Sequence, residues 1–200
     1  MPEYLENNRP YRLADYSRDE TPARLVDVGL WPKRGFIPSP VHYQEWFDWS
    51  ALFIEGAAER LFSISRAFSS SSIRLACLLT DSPAEQTQFI RVVELDREHL
   101  AESYFKAIWD EQSTSLPAPL GVAARMVMVW DNTEEWIIVN DRFYEMGLFA
   151  ILGRNSHLSK TNFFHCLDEQ ELLNRFSSIL RSNKVSGLAE VRRWQGGTDV

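Results

Sequence analysis

The sequence has few residues of the kinds that mark fibrous, disordered or membrane-spanning chains. Its 200 residues contain only 9 glycines, 9 prolines and 2 cysteines, while 44% are hydrophobic. This composition argues against collagen-like repeats and against extensive disorder. No run of about 18 apolar residues is present, and residues 1–11 are polar, so neither a membrane span nor a secretory signal is expected. We therefore expect a cytoplasmic protein that does not contact membranes.

Sequence signatures of catalysis and cofactor binding are also missing. The sequence has no P-loop, dinucleotide-binding, zinc-protease or nucleophile-elbow motif. Its four histidines form no helix-spaced pair with each other or with a cysteine. Cys77 and Cys166 both occur in apolar stretches, which is typical of reduced thiols in a core. We therefore predict no catalytic residue, no metal site and no cofactor.

The charge balance excludes a further class of partner. The chain has 21 Lys and Arg against 28 Asp and Glu, which gives a net charge of -7. A protein that binds nucleic acid usually presents a basic face to the phosphates, so nucleic-acid binding is not expected. The unusual feature of the composition is its seven tryptophans and twelve phenylalanines. Large aromatic residues are enriched both in cores and in protein interfaces, so they fit either role.

Proline spacing and hydrophobic periodicity suggest an irregular N-terminal arm over residues 1–40 and a single domain over residues 41–200. Tyr43, Trp46 and Phe47 begin a series of apolar residues that continues at three- and four-residue spacing to Phe68, which predicts an amphipathic helix. Further helices are predicted over residues 97–111, and after Asp168 as an N-cap with Glu171.

Alternating and continuous apolar runs predict the strands. They cover residues 73–80, 88–95, 124–130 and 136–140, with a short one at 162–166. Residues 145–152 fit either a strand or a short helix, and the turn sequence that follows them favours a strand. Residues 124–140 form a predicted hairpin in which Trp130 and Trp136 are expected to face each other. The fold class is therefore predicted as α+β, a mainly antiparallel sheet of four to six strands packed by about three helices.

The polar connection of that hairpin contains the densest acidic cluster, Asp131, Glu134 and Glu135. These residues are candidates for partner binding, although an Asp- and Glu-rich turn also suits a hairpin loop. Paired carboxylates can do acid–base work or hold a hard cation, so Asp131 with Asp141 and Glu145 gives an alternative site. Trp49 falls off the apolar row of its predicted helix, and Trp194 lies beside two arginines. Both tryptophans are further candidates for partner binding.

One segment resembles a known class of proteins. Trp136 begins an apolar strand that ends in Asp141 and Arg142, and the acidic Glu145 precedes a second apolar strand. This pattern resembles small uncharacterised bacterial proteins of the toxin-immunity type, over about 25 residues of the chain. The resemblance implies a bacterial, cytoplasmic, mixed α/β protein that binds a protein partner.

Three functions are therefore considered. The leading hypothesis is a non-enzymatic immunity protein or antitoxin, a monomer or homodimer that covers the active surface of a toxin. The alternative is a metal-dependent or acid–base hydrolase with a site around Asp131, Asp141 and Glu145. A third hypothesis is a structural or assembly subunit.

Overall fold

The computed structural model describes residues 11–14, 43–78, 89–110, 119–123, 126–142, 144–152 and 163–176. Apart from residues 11–14, the predicted arm lies outside these ranges, and so does Trp194. The boundary proposed near residue 40 stays a prediction.

A single antiparallel sheet organises the chain. Its strands follow the spatial order β1-β4-β3-β5-β6-β7-β2, and each strand pairs antiparallel with its neighbours. Six strands come from the predicted domain, and β1, only three residues long, comes from the arm that was expected to be irregular. The strands are β1 Arg12–Ala14, β2 Tyr43–Asp48, β3 Ser72–Leu78, β4 Phe89–Asp96, β5 Met126–Asp131, β6 Trp136–Asp141 and β7 Met146–Ile151.

Three helices of eight or more residues occur in the described part of the chain. They are α1 Ala57–Ala67, α2 Leu100–Trp109 and α4 Glu169–Phe176, and a four-residue helix, α3, spans Leu120–Ala123. Short 3-10 turns, Trp49–Leu52 and Arg97–His99, follow β2 and β4. The α+β class with an antiparallel sheet is thus confirmed. No helix among the described residues is long and apolar enough to span a bilayer.

The start of α4 confirms the predicted capping box. The backbone N–H of Glu171 donates to Asp168 Oδ1 at 2.8 Å, and the backbone N–H of Asp168 donates to Glu171 Oε2 at 2.9 Å. Two donors at this end of the helix are therefore satisfied by local side chains. The sequence signal is reliable here because both partners lie within one helical turn.

Both faces of the sheet are covered. One core cluster joins the sheet to α1 and α2 through residues such as Leu61, Ile64 and Tyr104. The other contains Met128, Trp130 and Leu148 from the sheet, with Leu172 from α4. Every residue of β5, β6 and β7 is buried. This explains why their sequences are almost continuously apolar rather than alternating.

The predicted helix that begins at Tyr43 is wrong over its first part. Residues 43–48 form strand β2, which pairs with β7 so that Phe47 lies opposite Gly147. The helix begins only after Gly56. In β2, Glu45 and Trp46 are buried on opposite faces of the sheet. Because both faces of the strand are covered, its sequence lacks the alternation of apolar and polar residues that usually marks a strand.

The hairpin of β5 and β6 is confirmed, but the expected contact between its tryptophans is wrong. Trp130 lies opposite Ile137 rather than Trp136. A shift of one residue in register places a side chain on the other face of the sheet. Trp130 and Trp136 accordingly belong to the two different core clusters.

Candidate partner-binding surface

The β5–β6 hairpin separates the predicted acidic residues into two groups. Met126 lies opposite Asp141, whereas Asp131 lies at the other end of β5, five residues further on, which corresponds to roughly 17 Å of strand. Asp131, Asp141 and Glu145 therefore do not converge, and the alternative hydrolase site is not formed. Within the described ranges, no three His, Cys, Asp or Glu side chains are grouped so that they would hold a metal ion.

Asp131 orders the hairpin turn instead of facing solvent. Its buried carboxylate accepts a hydrogen bond from Ser70 Oγ at 2.6 Å and another from the Glu135 N–H at 3.1 Å. The hydroxyl of Thr133 also donates to it. Glu134 and Glu135 are only half-exposed. The expectation that Asp131 contacts a partner is therefore corrected, because its oxygens are used within the turn.

Trp49 lies at the opposite end of the hairpin, where three chain segments fix its backbone. Asn140 Nδ2 donates to the Trp49 carbonyl at 2.8 Å, and the Trp49 N–H donates to the Glu145 carbonyl at 3.4 Å. Asp48, the preceding residue, caps the 3-10 turn by accepting from the Ser50 N–H at 2.9 Å. The ends of β2 and β6 and the β6–β7 turn thus position this tryptophan together.

Arg142 is held against Trp49. Its Cζ lies 5.7 Å from the centroid of the Trp49 ring, and its Nη1 donates to the Val122 carbonyl at 3.0 Å. The Arg142 side chain is exposed. A guanidinium at this distance from an indole makes a favourable cation–π contact, so two predicted candidate residues from distant parts of the sequence meet here.

The other residues of the resemblance segment occupy different places. Trp136 is buried in the core, with its ring 6.2 Å from that of Phe149. Asp141 is also buried, and its Oδ1 accepts from the Tyr144 N–H at 3.3 Å, which supports the β6–β7 turn. Glu145 is exposed in that turn. Of the four residues, only Arg142 and Glu145 therefore present side chains to solvent.

Two further aromatic rings extend the surface beyond Trp49. The Phe53 ring lies 5.2 Å from the Trp49 ring and 6.5 Å from the Trp109 ring. Trp109 is 46% exposed and Val122 is 51% exposed. We refer to Trp49, Phe53, Trp109, Val122 and Arg142 as the aromatic surface. Sequence reasoning identified Trp49 and Arg142 but missed Phe53 and Val122.

Helical spacing places Trp109 on an apolar row with Ala101 and Phe105, which predicts a core position. That prediction is wrong, because Trp109 is exposed. The buried row of α2 runs through Leu100, Tyr104 and Ile108, and Trp109 lies one position further round the helix. Gly121 packs closely against the Trp109 ring. A Cβ at residue 121 would lie 3.1 Å from Trp109 Cζ3 and 2.8 Å from Ile108 Cγ2. The fold thus holds the exposed indole in place by close packing against α3.

A second polar cluster lies on β2, around Glu45. Tyr43 Oη donates to Glu45 Oε1 at 2.7 Å, and the Phe164 N–H donates to Glu45 Oε2 at 3.2 Å. Burial, opposed by these hydrogen bonds, raises the pKa of the Glu45 carboxyl. These bonds, with the stacking of Phe47 on Phe164 at 3.9 Å between centroids, fasten the segment 163–167 to β2.

Cys166, beside this cluster, is a free and exposed thiol, which corrects the expectation of a core thiol. Although the residue is exposed, partial desolvation of its sulfur and the nearby Glu45 carboxylate raise its pKa. Because the thiolate is the nucleophile, a raised pKa makes this cysteine less reactive at neutral pH. The arrangement around Glu45 therefore serves packing rather than nucleophilic chemistry.

Comparison of the chain with models of protein families, with curated proteins and with solved structures found no match in any of the three.

Proposed function

We propose that this protein is a non-enzymatic protein-binding protein and that it binds its partner through the aromatic surface. The observation that carries the proposal is a cluster of three aromatic rings beside the exposed Arg142, in which Trp109 is exposed and Trp49 and Phe53 are half-buried. Tryptophan and arginine are the residues that most often dominate binding energy at protein interfaces. Covering the exposed part of Trp109 alone contributes on the order of 2 kcal/mol to association.

The finer part of the proposal concerns the partner. The resemblance of the segment from Trp136 to Glu145 to toxin-immunity proteins supports a bacterial toxin as partner, which this protein neutralises as an immunity protein or antitoxin. The arrangement of the acidic residues favours this function over the hydrolase alternative, because Asp131 lies far from Asp141 and Glu145.

Co-expression tests this proposal. The product of each gene that neighbours the coding gene is expressed in a bacterium with and without this protein. We expect one product to arrest growth alone, to be tolerated in the presence of this protein and to co-purify with it. Co-purification without growth rescue would support protein binding and overturn the antitoxin function. Absence of both effects for every neighbouring product would contradict the whole proposal.

A further inference from the structure

Arg142 is the positively charged residue of the aromatic surface, and its side chain is exposed. The ion pairs in the described ranges join Arg12 to Asp96, Arg74 to Glu94 and Arg175 to Asp48, and none involves Arg142. The nearest acids in sequence are Asp141, which is buried, and Glu145. Among the residues that the structure describes, no ion pair neutralises this exposed cation.

The Arg142 side chain is also held in position before any partner arrives. The Val122 carbonyl accepts one of its N–H groups, and the Trp49 ring lies beside its Cζ. A guanidinium has five N–H donors in a planar fork that matches a carboxylate. Because these two contacts already restrict the Arg142 side chain, less side-chain entropy is lost when a carboxylate binds to it.

Apolar groups flank this cation on the same surface. Val122 accepts the Arg142 bond through its carbonyl while its side chain is exposed, and α3 packs against the Trp109 ring through Gly121. A ligand that reaches the guanidinium therefore also meets an aliphatic side chain and an indole. This combination is complementary to a carboxylate next to an apolar side chain.

We infer that the aromatic surface binds an acidic protein segment, in which an Asp or Glu carboxylate pairs with Arg142 and a neighbouring apolar side chain packs on Trp109 and Val122. This inference rests on the proposed function and adds the chemistry of the partner. Charge complementarity favours this occupant, because an exposed, positioned arginine within an apolar surface selects an acid over a neutral or basic group.

Peptide display on the full-length protein tests the inference. Random twelve-residue peptides are selected on the wild type, and dissociation constants of the enriched peptides are measured for wild type, R142Q, R142K, W109S and R66Q. Arg66 is an exposed arginine of α1 outside the aromatic surface. We expect enrichment of Asp or Glu beside an apolar residue. Binding should weaken at least tenfold in R142Q, less in R142K, and remain unchanged in R66Q.

A second comparison isolates the charge pair. Replacing the acidic residue of a selected peptide by its amide should weaken binding to the wild type but cause little further loss with R142Q, because the same interaction is already missing. Circular dichroism and thermal unfolding of each variant establish that it is folded.

The outcomes separate this inference from the proposed function. Peptides that bind R142Q as tightly as the wild type but lose affinity for W109S would overturn the acidic partner and leave the function intact. Peptides insensitive to both substitutions, or failure to enrich any peptide, would overturn both. A dimer of the protein alone that W109S disperses in sedimentation would assign the surface to a second copy and also overturn the inference.

Discussion

Glu45 illustrates how single residues shape this fold. It is only 2% exposed on a strand whose other residues are mostly aromatic, and burying a carboxylate is unfavourable unless its oxygens are hydrogen-bonded. The Tyr43 hydroxyl and the Phe164 N–H supply those bonds. The residue thus joins β2 to a segment that is distant in sequence, at the cost of a raised pKa.

The raised pKa of Glu45 predicts how the stability of the protein depends on pH. The pKa of Glu45 is raised in the folded state, so its contribution to stability is complete below the unfolded value near 4.5 and is lost as pH rises through the folded value. In E45Q this loss of stability does not occur, because the glutamine amide does not titrate. We therefore expect the melting temperature of E45Q, relative to wild type, to increase between pH 4.5 and pH 7. Thermal scans across this range check it, and a constant or decreasing difference would contradict it.

Gly147 is a second residue with a clear structural requirement. It lies opposite Phe47, and a Cβ at this position would lie 2.3 Å from Cε2 and Cζ of the Phe47 ring. The glycine thus lets the ring lie flat over β7, where it stacks on Phe164.

We expect G147A to lower the free energy of unfolding by about 2–3 kcal/mol, as overpacking of a core typically does. Denaturant unfolding measures the change. In an F47L background the same substitution should cost less, because the clashing ring is gone. An equal cost in both backgrounds would show that the ring is not the cause.

At the scale of elements, one junction connects α4 to the sheet and to the turn that holds Trp49. Arg175 Nη2 donates to Asp48 Oδ2 at 2.6 Å, and its Nη1 donates to the Glu145 carbonyl. Asp48 also caps the 3-10 turn that begins with Trp49. Burial acts to raise the pKa of Asp48, but the hydrogen bonds from Ser50 and Arg175 outweigh it and the net pKa is lowered.

Removing this junction should have a moderate, pH-dependent effect. We expect R175M to be less stable than wild type by about 1 kcal/mol at pH 6, since the pair is partly exposed. A lowered pKa contributes stability above the unfolded value of 3.8 that is lost as pH falls through the folded value. The difference from wild type should therefore shrink below pH 3.8 in urea titrations. R66M is the control, and an equal loss there would contradict the account.

Sequence reasoning succeeded at this scale wherever the signal is local. The capping box at Asp168 and Glu171 and the hairpin of β5 and β6 each depend on residues within a few positions of one another. Hydrophobic periodicity did not predict β2, because the buried Glu45 depends on a hydrogen bond from the Phe164 N–H. Residue 164 is far away in sequence, so a local pattern contains no trace of this contact. Local patterns also failed for the pairing of Trp130, because register depends on the geometry of the connection.

The candidate site was predictable only in part for the same reason. Trp49 and Arg142 were each identified, but they lie 93 positions apart and meet because β2 lies beyond β6 in the sheet, with only β7 between the two strands. Trp109 lies one position from a buried row of α2, so helical periodicity alone assigned it to the core. Its exposure depends on where α1 and α3 pack, which the sequence pattern does not specify.

For the whole molecule, the structure changes where a partner is expected to bind. The net charge of -7 suggested the acidic hairpin loop, but Asp131 is buried in its own turn. The aromatic surface, with the exposed Trp109 and Arg142, lies at the other end of the hairpin. We therefore expect the aromatic surface, and not the acidic loop, to contact the partner.

The most direct test compares two exposed aromatic residues. Trp109 belongs to the aromatic surface, whereas Phe62, which is 40% exposed on α1, does not. The partner found by co-expression is co-purified with wild type, W109S and F62S under the same conditions. We expect F62S to retain the partner as the wild type does, whereas W109S, though folded, loses it. Equal retention by W109S and wild type would show that the partner does not bind through the aromatic surface.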